Sequence, residues 1–166
     1  GTVEVAFLQG SMEYMQEEAL LNAEFCEYLQ LIRKNHDYSV FVAIQDEGTY
    51  GLTGEMKELL HAIGLQTDLT GQHRRSYYAV IDGGTVKEQL GDGVIEAAGS
   101  LNDGTVYEIR SEGYSMQGAV CSIMLDGLEF AVKDRGMNFV IYDNAQGCVV
   151  DAVVFDTYSD ASAKRK

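Results

Sequence analysis

The sequence contains no proline, few basic residues and no long apolar run. The absence of proline excludes rigid proline-rich linkers and leaves 18 glycines to form the turns, so many hairpins are expected. Only 12 Lys and Arg residues stand against 26 Asp and Glu residues, which gives a formal charge of −14. Because this charge repels phosphate backbones, nucleic acid is not expected as a partner. No apolar run approaches the roughly 20 residues that cross a bilayer, so no membrane insertion of this segment is expected.

Cysteine is also scarce. Cys26, Cys121 and Cys148 are an odd number without CxxC spacing, and each lies in an apolar segment. We therefore expect three buried free thiols and no intramolecular disulfide. The amino terminus has no basic segment followed by an apolar one, so any signal or anchor is expected outside this sequence.

The length and composition are those of one globular domain. A chain of 166 residues is long enough to bury roughly 70% of its unfolded surface in one core. Hydrophobic residues make up 46% of the chain and charged residues 23%, which is typical of globular proteins. Since no internal repeat or low-complexity tract is present, we expect a single domain over residues 1–166.

Helical spacing of apolar residues predicts two helices. Ser11 can cap the first, whose apolar residues recur at every third or fourth position as far as Asn35. Thr53 can cap the second, and Gly64 supplies its end. Residues 1–10 alternate loosely, which fits either an edge strand or a leader segment.

Short apolar and β-branched runs predict the strands. These runs cover residues 38–45, 76–81, 105–110, 119–125, 128–132, 137–142 and 148–155, and residues 85–103 are predicted to be a surface connection with a short strand at 94–97. Asp126-Gly127 is typical of a two-residue type I′ hairpin turn. Helices and a few strands come first and a run of antiparallel strands follows, which predicts an α+β fold.

The sequence lacks the motifs of common enzymes and cofactor sites. GxSxG, HExxH, a Walker loop and a Rossmann GxGxxG are all missing. With 26 acids, carboxylate pairs arise by chance, so they give no support to a glycosidase. His36, His61 and His73 lie far apart, and each is interpreted as an ordinary surface or cap histidine. We therefore expect no catalysis, no cofactor and no metal.

Two arginine-containing turns stand beside apolar strands. Arg135 precedes the strand at 137–142, and Arg74 and Arg75 precede the aromatic strand at 76–81. One interpretation is that these are solvated turn charges. The other is that planar donors held at strand ends, opposed by an acceptor such as Asp46, match the alternating donors and acceptors of sugar hydroxyls. The residues by themselves leave both interpretations open.

Two long segments resemble a known family. Residues 134–160, DRGMNFVIYDNAQGCVVDAVVFDTYSD, are similar to the RG-to-FDTY signature of interleukin-like EMT inducer domains. Residues 40–84 contain VFVAIQDEG and RRSYYAVIDGG and resemble the second half of the same domain. Together with residues 107–128, which resemble the strand pair before the RG motif, the similarity covers most of the chain. It implies a compact β-β-α globule of two twisted, mainly antiparallel sheets flanked by helices.

The order of the two halves departs from the family. Residues 11–84 match the second family half, residues 85–103 form a connection, and residues 104–160 match the first half. Either the domain is circularly permuted, or complementary halves of neighbouring molecules pair. Because domain termini are usually exposed and close together, permutation is physically inexpensive and is preferred. It predicts a monomer in which Ser11 lies near Tyr158 across the old junction.

The resemblance implies a non-catalytic carbohydrate-binding module. The family includes the stem domain of protein O-mannose N-acetylglucosaminyltransferase, which binds a terminal sugar. Matched by motif, its binding residues correspond to Arg135, Asp46 and Arg75, and Tyr77 or Tyr78 is expected to offer a ring to the sugar. The expected ligand is a glycan ending in N-acetylhexosamine. Two family tryptophans are replaced here by Arg74 and Tyr78, which leaves the identity of the sugar open.

The resemblance also implies an alternative function and a type of parent protein. The alternative function is a secreted cytokine-like or protein–protein interaction domain that uses the same surface. The expected context is a larger extracellular or cell-envelope protein, attached to or associated with a membrane glycosyltransferase.

Overall fold

The computed structural model describes the backbone of residues 2–166 and the side chains of residues 10–166; residue 1 lies outside the described part. Within it the chain forms three helices and a curled sheet of ten strands, a mixed fold that fits the predicted α+β class. The helices are α1 (Thr2–Asn22), α2 (Phe25–Lys34) and α3 (Gly54–Ala62). The strands are β1 (Tyr38–Asp46), β2 (Ser76–Asp82), β3 (Thr85–Gly91), β4 (Val94–Ser100), β5 (Val106–Gly113), β6 (Ser122–Leu125), β7 (Leu128–Glu129), β8 (Gly136–Asp143), β9 (Cys148–Phe155) and β10 (Ala163–Lys164).

The ten strands form two antiparallel sets that join at one seam. Strands β10, β9, β8, β1, β2 and β3 lie side by side in this order. The second set has the order β4, β5, β6 and β7. The sets meet where β1 runs parallel to β5, through the pairs Gln45–Glu112 and Asp46–Gly113. The expected two sheets are therefore joined as one curled sheet at the end of β1.

Side chains of β1 alternate between two hydrophobic clusters. Val40, Val42 and Ile44 pack in the cluster that includes α2, whereas Phe41 and Ala43 pack in the cluster that includes β5 and β6. Both faces of β1 are thus covered. This explains why its sequence is a nearly continuous apolar run, since a strand with two buried faces has no polar face to show.

The first helical segment differs from the prediction. Residues 2–10 are helical rather than an edge strand, and the helix predicted from Ser11 to Asn35 is divided into α1 and α2. The chain is extended at Glu24, with ψ 171°. Ala23 and Phe25 are both buried, although a continuous helix would turn two such positions to nearly opposite sides. The break therefore lets both side chains reach the core.

The segment at 85–103 also differs from the prediction. The short strand predicted at 94–97 is confirmed as part of β4, but residues 85–91 form β3 in place of a surface connection, and β3 pairs with β2 along its whole length. Other sequence signals are confirmed. Thr53 caps α3 by accepting the Met56 N–H at 3.2 Å. Asp126 and Gly127 both have positive φ, 46° and 80°, as the predicted type I′ turn requires.

The predicted neighbourhood of Ser11 and Tyr158 is wrong. Met12 borders the same cleft as Asp143, at the carboxyl end of β8. Tyr158 lies under the guanidinium of Arg135, just before the other end of β8. A strand of this length spans roughly 23 Å, so Ser11 and Tyr158 lie near opposite ends of the sheet.

The carboxyl-terminal segment returns to α1 at a different point. Strand β10 pairs with the end of β9, and Arg165 follows it. Arg165 reaches the backbone oxygen of Leu20 at 3.5 Å and the carboxylate of Asp151 at 2.9 Å. The chain end therefore lies beside the junction of α1 and α2. Of the described helices, none is both long and apolar enough to span a bilayer.

Candidate functional site

The register of β1 and β8 brings two predicted site residues together. Gln45 pairs with Gly136, so Asp46 at the end of β1 lies next to Arg135 at the start of β8. Hydrogen bonds to Asp156 raise the pKa of Arg135 most, and the nearby charge of Asp46 also contributes. The structure thus places a donor and an acceptor from separate parts of the chain at one sheet end.

Asp156 fixes the guanidinium of Arg135 in one orientation. Its carboxylate accepts from Nε at 3.0 Å and from Nη2 at 2.7 Å. A guanidinium has five N–H donors, so this fork leaves three for other partners. The side chain of Arg135 is 44% exposed, and these donors are accessible to a ligand.

Aromatic rings extend the surface beside Arg135. Its Cζ lies 4.4 Å from the centre of the Tyr158 ring. The Tyr158 ring lies 5.5 Å from that of Tyr50, which in turn lies 5.4 Å from the His73 ring. Tyr50 is 67% exposed and Tyr158 is 40% exposed. We call Asp46, Arg135, Tyr158, Tyr50 and His73 the Arg135 surface.

A buried carboxylate holds the loop that carries Tyr50. Glu47 accepts the N–H of Thr49 at 3.1 Å and that of Tyr50 at 2.7 Å. The same carboxylate accepts the Arg74 N–H at 3.0 Å, which ties this loop to the one before β2. In addition, the Gly51 N–H donates to the Thr157 carbonyl at 2.8 Å. The Glu47 side chain and the bond from Gly51 therefore link the loops that carry Tyr50, His73 and Tyr158.

The turn that carries Arg135 is held in a similar way. Asn138 is fully buried; its Oδ1 accepts from Lys133 N–H and its Nδ2 donates to the Asp134 carbonyl, both at 2.9 Å. Gly136 has a φ of 118°, and a Cβ at this position would collide with the Phe155 carbonyl oxygen. A glycine is therefore needed where β8 passes close to the segment of Asp156.

Backbone strain is concentrated near the same sheet end. Asp46, Arg74 and Lys133 have φ values of 67°, 62° and 69°, in the left-handed region that residues other than glycine seldom adopt. Lys133 is linked to Asp46's strand because its carbonyl accepts from Gln45 Nε2 at 3.0 Å. Such conformations persist where the surroundings hold them, and they cluster at functional sites.

The guanidinium of Arg75 bonds to residues other than Asp46 and Arg135. Its Nε pairs with Asp92 at 3.1 Å, and its Nη1 donates to Gln72 at 3.0 Å. Among the described side chains, no hydrogen bond or ion pair links it to Asp46 or Arg135. Asp46 pairs with Gly113 of β5, and Gly113 packs against the backbone of Arg74 and Arg75. The convergence of Arg75 with Asp46 and Arg135 on one site stays a prediction.

The rings of Tyr77 and Tyr78 also do not face a ligand. Tyr77 is fully buried in the cluster beneath the helices, and Tyr78 is 5% exposed in the cluster beneath the second strand set. Their hydroxyls donate to Glu88 and Gln89 of the neighbouring strand. Strand β2 is covered on both faces, so alternation sends neither ring to the surface. The expectation of a sugar-facing ring at these positions is corrected.

Tyr50, Tyr158 and His73 are the surface residues that sequence reasoning missed. Tyr158 belongs to the FDTY motif, and Tyr50 follows the Asp46-Glu47-Gly48 turn. Each of these tyrosines stands in a polar turn, and this position indicates an exposed ring because the neighbouring residues in sequence are not apolar enough to bury it. His73 was interpreted as an ordinary surface histidine, whereas its ring packs against Tyr50.

The acidic, histidine and cysteine side chains of the described residues include no group of three or more that could hold a metal ion. Only Cys121 is fully buried, and burial raises the pKa of its thiol to about 12. Cys26 is half-buried and Cys148 is exposed, so the expectation of three buried thiols is met by Cys121 alone.

A mainly apolar cleft lies at the other end of the molecule. It encloses ≈ 700 Å³ between α1, the end of α2 and the turn after β8. Met12, Leu20 and Leu31 line its wall, and it shares no residue with the Arg135 surface. It is therefore a feature of helix packing, separate from the donors and rings described above.

The Arg135 surface combines fixed donors, an acceptor and exposed rings on a rigid sheet end. It is shallow and solvent-facing, and its arrangement suits a ligand with many hydroxyl groups and an apolar C–H face. No family model, curated protein sequence or solved structure matches this chain.

Proposed function

We propose that this chain is a non-catalytic carbohydrate-binding module that recognises a terminal sugar, an N-acetylhexosamine. The proposal is carried by one observation, the clamped guanidinium of Arg135 beside Asp46 and over the exposed ring of Tyr158. The resemblance of residues 40–84 and 134–160 to interleukin-like EMT inducer domains supports it, because Asp46 and Arg135 occupy the matching motif positions.

The surface offers each type of contact that a sugar ring needs. The free N–H groups of Arg135 donate to hydroxyl or acetamido oxygens, and Asp46 accepts from hydroxyls. The exposed rings of Tyr158 and Tyr50 stack against the C–H face of the sugar. Because Asp156 already orients Arg135, little side-chain entropy is lost on binding.

The family fold and the permuted order of its halves are part of this proposal. The module would act as a monomer within a larger extracellular or cell-envelope protein, associated with a glycosyltransferase. Finding the full-length protein to be a free-standing cytosolic chain would overturn this context.

Calorimetry after a glycan array tests the function. We expect binding to glycans ending in N-acetylglucosamine or N-acetylgalactosamine. Charge-assisted hydrogen bonds contribute roughly 1.5 to 3 kcal/mol each, so Asp46→Ala or Arg135→Ala should weaken binding about ten-fold or more. Tyr158→Ala should weaken it as well, because the stacking ring is lost.

Arg33→Ala is the matched control. Arg33 is an exposed arginine on α2, away from the Arg135 surface, and its removal should leave the affinity unchanged. Glycan binding that survives both Asp46→Ala and Arg135→Ala would refute the site. If the array shows no glycan binding at all, the protein–protein interaction alternative replaces the proposal.

A further inference from the structure

A second pair of an arginine and an aromatic ring lies next to the Arg135 surface. The Cζ of Arg74 is 4.4 Å from the centre of the Tyr114 ring. Arg74 directly follows His73, whose ring packs on Tyr50. The backbone at residues 73 and 74 therefore connects the Arg135 surface with the pair of Arg74 and Tyr114, which lies just after β5.

The guanidinium of Arg74 has no carboxylate partner. Arg75, Arg135 and Arg165 each pair with an aspartate, whereas Arg33, Arg74 and Arg110 form no ion pair among the described side chains. No carboxylate lies within ion-pair distance of Arg74 among the described side chains, although the protein carries 26 Asp and Glu residues. Its charge is therefore available to a ligand.

The backbone of Arg74 is held in an unfavourable conformation. Its φ of 62° is uncommon for a long side chain. Glu47 accepts its N–H at 3.0 Å, and its carbonyl accepts the Tyr114 N–H at 3.2 Å. These two bonds from buried or neighbouring segments fix the position of Arg74 over Tyr114, whose ring is about half exposed. Strain that the surroundings maintain in this way is typical of a binding site.

We propose that the sugar site continues into a second subsite, in which Arg74 over Tyr114 binds a carboxylate-bearing unit of the same oligosaccharide. This inference rests on the proposed function and extends it from a terminal sugar to an acidic oligosaccharide. The carboxylate accepts two N–H bonds from the Arg74 guanidinium, the geometry in which arginine recognises carboxylates. The Tyr114 ring supports the guanidinium from beneath.

A pair of probes that differ only in charge tests the second subsite. The acidic probe is an unsulfated chondroitin hexasaccharide, in which N-acetylgalactosamine alternates with glucuronate. The neutral probe is the same hexasaccharide with its carboxyl groups reduced to alcohols. By calorimetry, the wild-type protein should bind the acidic probe about ten-fold more tightly.

Two substitutions of Arg74 separate recognition from folding. Arg74→Ala and Arg74→Gly should both abolish the preference for the acidic probe. Glycine adopts positive φ without strain, so Arg74→Gly should unfold at an equal or higher temperature than the wild type while losing the preference. Arg33→Ala, which removes an equal charge elsewhere, should retain it.

The outcomes distinguish this inference from the function on which it rests. An unchanged ratio in Arg74→Gly, or equal binding of the two probes by the wild type, would overturn the second subsite alone, provided that Arg135→Ala still weakens binding of the neutral probe. If the wild-type protein binds neither probe nor any N-acetylhexosamine glycan, the proposed function itself fails and this inference fails with it.

Discussion

Two arginine–aspartate pairs in this protein share one geometry but have different surroundings. Arg135 contacts both carboxylate oxygens of Asp156 at 3.0 and 2.7 Å, and Arg165 contacts both oxygens of Asp151 at 2.9 Å. The exposed fractions of the side chains are 44% and 27% in the first pair, and 28% and 2% in the second. The two pairs therefore differ chiefly in how far the carboxylate is removed from water.

The two pairs also differ in the groups that surround them. The buried carboxylate of Asp151 also accepts the Tyr28 hydroxyl at 2.7 Å, and Arg165 attaches the chain end to Leu20. The carboxylate of Asp151 and the guanidinium of Arg165 therefore bond to each other and to Tyr28 and Leu20. Arg135 instead retains free donors beside exposed rings. A buried carboxylate needs its partner for stability, whereas an exposed pair contributes little to stability and can serve recognition.

The largest expected effect is the loss of the buried pair. Arg165→Ala leaves the Asp151 carboxylate buried without its cation, and we expect a loss of about 3 kcal/mol in the free energy of unfolding. Arg135→Ala removes an exposed pair and should cost less than about 1 kcal/mol. Urea denaturation of both variants measures the difference. Equal losses of unfolding free energy in the two variants would show that burial does not make one pair more important for stability than the other.

A glycine next to Arg135 gives the second prediction. Gly136→Ala introduces a Cβ at a φ of 118° against the Phe155 carbonyl, and it should destabilise the protein by about 2 kcal/mol or more. It should also weaken glycan binding, because the backbone shift separates Arg135 from Asp156. The control is Gly147→Ala, with a φ of 70° and no close neighbour, which should cost about 1 kcal/mol. Full glycan affinity in a folded Gly136→Ala protein would contradict the importance of this fork.

The smallest effect concerns Tyr28, the third member of the buried group. Burial raises the pKa of Tyr28 well above its usual value, and the charge of Asp151 raises it further. As the pH rises past about 10, the unfolded chain ionises this phenol while the folded protein keeps it protonated. Stability is therefore present below about pH 10 and falls as the pH rises toward the folded pKa.

Tyr28→Phe removes this contribution. At neutral pH it should cost about 1 kcal/mol, because the hydrogen bond to Asp151 is lost. Above about pH 10 its stability should decline less steeply than that of the wild type. Urea midpoints measured across this range provide the comparison, and parallel curves would refute the assignment.

Local signals in the sequence predicted much of the fold. The runs at 38–45, 76–81 and 148–155 became β1, β2 and β9, and Thr53 caps α3 as predicted. These signals act over a few residues, so no tertiary information is needed to find them. The break at Glu24 and the pairing of β3 with β2 depend on distant partners, and they were missed for that reason.

The candidate site was predicted only in part. Asp46 and Arg135 were found because each stands in a recognisable motif at a strand end. Tyr77 and Tyr78 were misplaced, because a sequence run does not show that both faces of its strand are covered. Tyr50 was overlooked, because its neighbours on the surface are distant in sequence.

The sequence by itself determined most of the strands, the Thr53 cap, the Asp126-Gly127 turn and the polar residues at strand ends, since backbone preferences and hydrophobic alternation act locally. The tertiary structure alone decided which of these residues meet. The register that pairs Gln45 with Gly136 places Asp46 beside Arg135, and the guanidinium of Arg75 pairs with Asp92 instead. Burial likewise decided that Arg165 forms a largely buried pair with Asp151 while Arg135 remains exposed, because the cost of removing a charge from water depends on everything packed around it.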